Sequence, residues 1–139
     1  MMSALHSLNY LTVIASTIIG FLIGAVWYMF LFGKTWAAEM GITIPAPGEP
    51  RPPMTGKMVQ GLIFTFVSTV GLALVLAISG HVSWKHGAAR GAVIGLLIVG
   101  ARYANSAIWE KKSAKLQAIN IGHEVAVFAV QGAILAHGL

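Results

Sequence analysis

Five polar side chains interrupt two otherwise apolar stretches of this chain: Arg102 and Asn105 in GARYANSAIW, and Asn120, His123 and Glu124 in AINIGHEVAVF. A carboxylate beside an imidazole can hold or pass a proton. An arginine can neutralise the carboxylate, and amides can tie helices together by hydrogen bonds. Asn120, His123 and Glu124 are spaced by three and four, which puts them on one face of a helix. The segment EKKSAK between the two stretches is short enough to force an antiparallel hairpin, so residues equidistant from its centre should lie at similar depth. Arg102 then matches His123, with Glu124 one residue deeper, and Asn105 matches Asn120. The expectation is a single polar layer in which Arg102 pairs with Glu124.

An intramembrane charge costs ~2.5–3.5 kcal/mol on insertion scales, so a pair, or a wet cavity, is the usual arrangement. Each residue also has a plainer reading. Arg102 can snorkel to the nearer interface, Glu124 can be protonated and hydrogen-bonded, and His123 can be a neutral hydrogen-bonding group. No second His or Cys stands at ligand spacing, so no metal is expected. The cluster therefore admits three uses: a structural clamp, a path for a proton, ion or small solute, or a seat for a lipid head group or quinone-like ligand. The second apolar stretch adds no charge and the first only Ser16, Thr17, Trp27 and Tyr28, so no continuous polar path across a membrane is visible.

The elements that must position these residues follow from composition. Hydrophobic residues make up 57% of the chain and charged ones 9%, against about 25% charged in an ordinary soluble domain. Four spans emerge, at about 8–32, 58–80, 88–109 and 116–137, each approaching or exceeding the ~20 residues a helix needs to cross a bilayer. The fold class expected is all-α: an integral membrane bundle of four transmembrane helices, forming one domain over residues 1–139. The first span is longer than the ~7–15-residue apolar segment of a signal peptide and is read as a permanent helix. All five prolines fall in the loop 33–57, where PAPGEPRPP reads as an extended spacer and KTWAAEM as a short interfacial helix. There is no cysteine, hence no disulfide framework.

Orientation is read from Lys and Arg. Lys34, Arg51, Lys57, Lys111, Lys112 and Lys115 fall in the first and third loops, against Lys85 and Arg90 on the other side. The positive-inside rule makes loops 33–57 and 110–115 cytoplasmic and both termini external. Trp27, Tyr28, Trp36 and Trp109 would anchor one interface and Trp84 the other. Small residues recur at intervals of four, Gly20 and Gly24 in the first span and Gly87, Gly91 and Gly95 in the third. Such ridges let backbones approach within one subunit, in a homo-oligomer, or against another membrane protein.

Other chemistries lack their parts. The chain has no Asp, no Gly-x-Ser-x-Gly, no phosphate loop and no basic cluster interleaved with aromatics, so enzymes and nucleic-acid partners are not expected. His6, His81, His86 and His137 are scattered near the outer face, as solvated interface residues or, less simply, as an external metal site.

GFLIGAVWYMFLFGKTW together with IWEKKSAKLQAINIGHEVAVFAVQGAIL resembles a bacterial family of small four-helix membrane proteins, domain of unknown function seventeen-sixty-one. Gly24, Trp27, Tyr28, Phe32, Gly33, Lys34 and Trp36 correspond to its first signature. Glu110, Lys112, Ile119 and Gly122 to Glu124 correspond to its hairpin and last helix. Where that family often has a proline soon after Trp-Tyr, this chain has Met29 and Phe30. The resemblance implies a four-helix fold in a bacterial inner membrane and no activity. Small multidrug transporters also have four short helices and a membrane carboxylate, but theirs is similar to one placed in the first helix. The function expected is a non-catalytic scaffold or accessory subunit of a membrane assembly, as homo-oligomer or part of a larger complex; the alternative is a small proton-coupled carrier using Glu124 and His123.

Overall fold

The computed structural model describes residue 6, residues 8–80 and residues 83–138. Among these, four helices are long and apolar enough to cross a membrane. They are α1 (Tyr10–Leu31), α3 (Thr55–Ile78), α4 (Trp84–Glu110) and α5 (Ala114–Leu135). A seven-residue helix, α2 (Gly33–Glu39), follows α1 and contains Trp36. The chain is an integral membrane bundle, and its outward faces fit lipid: Leu11, Phe30, Phe64, Ile78, Leu97 and Ile108 are all exposed.

Local chemistry sets the ends of these helices. Asn9 caps α1, its side chain accepting from the Thr12 amide at 3.2 Å, and Ser113 caps α5 by accepting from Leu116 at 3.1 Å. Lys111, left-handed at φ 53°, lets α4 stop and the chain reverse within three residues into α5. At Gly33 a Cβ would come 2.8 Å from the Tyr28 carbonyl oxygen, so only glycine lets α2 fold back this closely under the end of α1. Glu39 at the end of α2 accepts from Ser113 Oγ and lies 3.9 Å from Lys115 Nζ, which fastens the first loop to the hairpin turn.

α5 is the central helix, with α4 on one side and α1 on another. The glycines of α4 are what allow the first contact. A Cβ at Gly91 would strike the Phe128 carbonyl, one at Gly87 the Gly132 carbonyl, and one at Gly95 would lie 2.9 Å from the Glu124 carbonyl oxygen. Gly132 meets Gly87 in the same way from the α5 side. The two backbones touch over three turns, the close approach that drives association where lipid gives little hydrophobic help. α1 uses Gly20 against Gln131 and Val127, and Gly24 against His123. Both glycine stripes are thus consumed inside one chain.

α3 packs by one half only. Thr69, Leu72, Ala73 and Leu76 are buried against a cluster containing Val13, Phe128 and Leu135, whereas none of residues 51–68 is buried. The loop-side half of α3 meets the bundle more sparsely, with Gly61 facing Phe21 and Gly61, Thr65 and Ser68 partly covered.

Two helices contain π-turns, at Trp27–Leu31 in α1 and Gly95–Gly100 in α4. A π-turn inserts one residue, and one residue is ~100° of helix rotation. In α4 the buried line therefore runs Gly87, Gly91, Gly95, Gly100, Ala107, with a step of five where an unbroken α-helix would have continued through Arg102.

Candidate functional site

Between α1, the free half of α3, and α5 lies a half-open groove of about 540 Å³. Its walls are mostly apolar. α1 contributes Gly20, Phe21, Gly24 and Met29, α3 contributes Met54, Met58, Gly61 and Phe64, and α5 contributes Val127 and Phe128. Its size falls within the ~300–1,000 Å³ of small-molecule sites. The polar exceptions are Tyr28, Lys57, Thr65, Ser68, His123 and Glu124. Thr65 and Ser68 turn their hydroxyls back onto the carbonyls of Gly61 and Thr65, at 2.8 and 2.9 Å, so their hydrogen bonds stay within α3.

His123 and Glu124 form the polar floor. His123 Nδ1 is 3.3 Å from Glu124 Oε1, and both side chains are largely covered, at 15% and 17% exposure. A carboxylate at Nδ1 favours the tautomer with the proton there and leaves Nε2 as an acceptor. Nε2 is buried beside Gly24 and has no hydrogen-bond partner among the described residues. Tyr28 stacks near the imidazole with ring centroids 4.8 Å apart, and its hydroxyl donates to Asn120 Oδ1 at 3.1 Å. Trp27 Nε1 donates to the Ile119 carbonyl at 3.0 Å, and its ring would be met at 3.2 Å by a Cβ at Gly122. Trp27 and Tyr28, expected as interface anchors, are turned onto α5. Trp84 and Trp109 are exposed, and Trp36 packs edge-on to Tyr28. His86 bonds to Ser83, and His81 lies outside the described residues.

Arg102 does not join this layer. It and Asn105 are exposed, and neither makes a hydrogen bond or ion pair among the described residues. Two causes act together. The π-turn at Gly95–Gly100 rotates the following residues off the α5 face, and the helix register sets Gly95 level with Glu124 and Gly100 level with Ile121. Arg102 is seven residues past Gly95, about 10 Å further along the helix. The expected Arg102–Glu124 pair is replaced by the His123–Glu124 pair, and Arg102 is left to snorkel from the lipid face.

A second polar node was missed by sequence reasoning. Gln131 is fully buried, and its Nε2 donates to Thr69 Oγ1 at 2.7 Å and to the Ser16 carbonyl at 3.4 Å. Ser16 Oγ returns a long bond to the Gln131 carbonyl at 3.5 Å. One amide thus joins α1, α3 and α5 where α3 rejoins the bundle. Asn120, Glu124, Val127 and Gln131 follow steps of four, three and four, so the node continues the face that carries the floor. The signal was present as a lone Gln in VFAVQGAIL.

Fold and site together define a four-helix membrane protein with a lateral groove closed at its floor by an imidazole–carboxylate pair. The chain belongs to the family described as Protein of unknown function (DUF1761), whose model matches residues 11–136. No curated protein and no solved structure matches it.

Proposed function

We propose that this protein is a small carrier that takes an amphipathic molecule into the groove between α1, α3 and α5 and links its binding to protonation of His123 and Glu124. The observation that carries the reading is the position of the pair. Glu124 is the only carboxylate lining the groove, and it has no arginine or lysine within ion-pair distance among the described residues. An intramembrane ionisable group without a fixed counter-ion is expected to face substrate or proton. The chemistry is binding and proton exchange, without catalysis.

A scaffold role rests on glycine ridges free to dock a partner, and these ridges are occupied by α5. In the orientation that the basic residues favour, the loops carrying Lys34, Arg51, Lys57 and Lys111–Lys115 face the cytoplasm of a bacterial cell, both termini face outward, and the groove opens toward the cytoplasmic side.

The test uses the full chain in lipid nanodiscs, with cationic, neutral and anionic amphiphiles offered at pH 5.5 and 8.5. Gly61→Phe serves as the blocked form, because a Cβ at Gly61 meets only Phe21, at 3.5 Å, and a phenyl group there fills the mouth. Binding that Gly61→Phe abolishes, together with uptake driven by a pH gradient in proteoliposomes, is the expected result. If no amphiphile binds in a Gly61-dependent way, the reading fails. Binding without gradient-driven uptake overturns the carrier assignment.

A further inference from the structure

We infer that the occupant of the groove is a lipophilic organic cation, its charge seated at the Glu124 carboxylate and its apolar body held between Phe21, Phe64 and Met58. This deepens the carrier reading and rests on it. The argument is charge complementarity at a stated depth. Glu124 lies ten residues into α5, about 15 Å along the helix from the loop end, so near mid-bilayer. There the groove offers the Glu124 carboxylate as its acceptor, while His123 Nε2 is covered beside Gly24 and the hydroxyl of Tyr28 is committed to Asn120. Arg102, the residue that would have neutralised Glu124, points elsewhere.

The walls suit the same ligand. Phe21, Tyr28, Phe64 and Phe128 line the groove, and aromatic faces attract organic cations once water is excluded. Met29, Met54 and Met58 add flexible, polarizable surface that adapts to irregular bodies. Lys57, the third residue of α3, stands at the loop-end rim, about 7–8 Å of helix rise shallower than Glu124 when Thr69 is set level with Gln131. An anionic amphiphile would use that lysine and would place its charge near the interface. A cation has no need of it.

The linked step balances simply. With Glu124 protonated, arrival of the cation breaks the carboxyl O–H bond, the proton leaves to water at the groove mouth, and the carboxylate pairs with the cation. One proton is released for each cation that meets a protonated Glu124, and none where the carboxylate is already ionised. The groups that tune this step are His123 on the same helix, Tyr28 from α1, Tyr103 from α4, and Lys57 at the α3 rim.

Tetraphenylphosphonium and tetraphenylborate share one shape and carry opposite charge, so they separate charge recognition from apolar fit. Binding is measured on the full chain in nanodiscs, with Gly61→Phe discs subtracted as the lipid background. Tetraphenylphosphonium is expected to bind, to bind at least tenfold more weakly to Glu124→Gln, and to bind Lys57→Gln as well as or better than the parent. Should Glu124→Gln fail to fold, the parent protein still decides: tetraphenylphosphonium must bind in a Gly61-dependent way and tetraphenylborate must not. Preference for tetraphenylborate, or weakening by Lys57→Gln and not by Glu124→Gln, overturns the cation assignment. Gly61-dependent binding of a neutral amphiphile with neither ion bound also overturns it while leaving the carrier standing. Absence of any Gly61-dependent ligand removes both.

Discussion

Gly95 lies against the Glu124 carbonyl, close enough that a Cβ on Gly95 would come within 2.9 Å of the oxygen. That contact fixes the level of α4 against α5, and with the π-turn that follows it decides which side chains of α4 can reach the groove. Arg102 cannot.

Arg102 should therefore be energetically independent of Glu124. In a double-mutant cycle of Arg102→Gln and Glu124→Gln, the coupling measured by unfolding in detergent should be indistinguishable from zero. The single Arg102→Gln change should stay within ~0.5 kcal/mol, as for exposed positions generally. A coupling well above 1 kcal/mol would restore the ion pair.

Gly91 is the tightest point of the α4–α5 contact, where any Cβ collides with the Phe128 backbone. Gly91→Ala should cost about 1–3 kcal/mol, because the helices must separate to admit it. Gly71→Ala, where nothing lies within 4 Å, is the matched control and should leave the melting temperature unchanged. Equal behaviour of the two variants would disprove the backbone contact.

Gln131 joins three helices through its amide. Gln131→Leu should lower stability by roughly 0.6–1.7 kcal/mol, the range found for hydrogen bonds between membrane helices. Thr69→Val should cost little further in the Gln131→Leu background, since the shared bond is already gone. Additive losses would mean that the two residues act separately.

Trp27 carries a hydrogen bond to the Ile119 carbonyl in addition to its packing on Gly122. Trp27→Phe keeps a ring and removes the bond, so a loss of about 0.5–1.5 kcal/mol is expected. Its removal should also take away one of the two partly covered tryptophans, because Trp36 shares that state while Trp84 and Trp109 are exposed. Unchanged quenching by a lipid-soluble quencher after Trp27→Phe would contradict this.

The spans were legible because membrane helices are written in composition and length, which survive without any knowledge of packing. The glycine ridges were legible too, and the choice left open between internal and external docking falls to the internal one at α5. The polar layer was half legible. His123, Glu124 and Asn120 share a face as their spacing requires, and Tyr28 meets Asn120. Arg102 and Asn105 were misplaced because GLLIVG reads as ordinary α-helix: no residue type in it announces the extra residue of a π-turn. The groove was invisible for a different reason. In lipid both faces of α3 are apolar, so periodicity does not reveal that its buried residues, Thr69, Leu72, Ala73 and Leu76, all lie in the half beyond the groove.

α3 is buried against its neighbours at one end and meets them sparsely at the other, where Gly61 faces Phe21, as a stave is held by a single hoop. Where protein gives a membrane helix little backing, acyl chains supply it, and the width of the groove becomes a property shared with the bilayer. A micelle and a stiff membrane would then hold the same chain at different apertures.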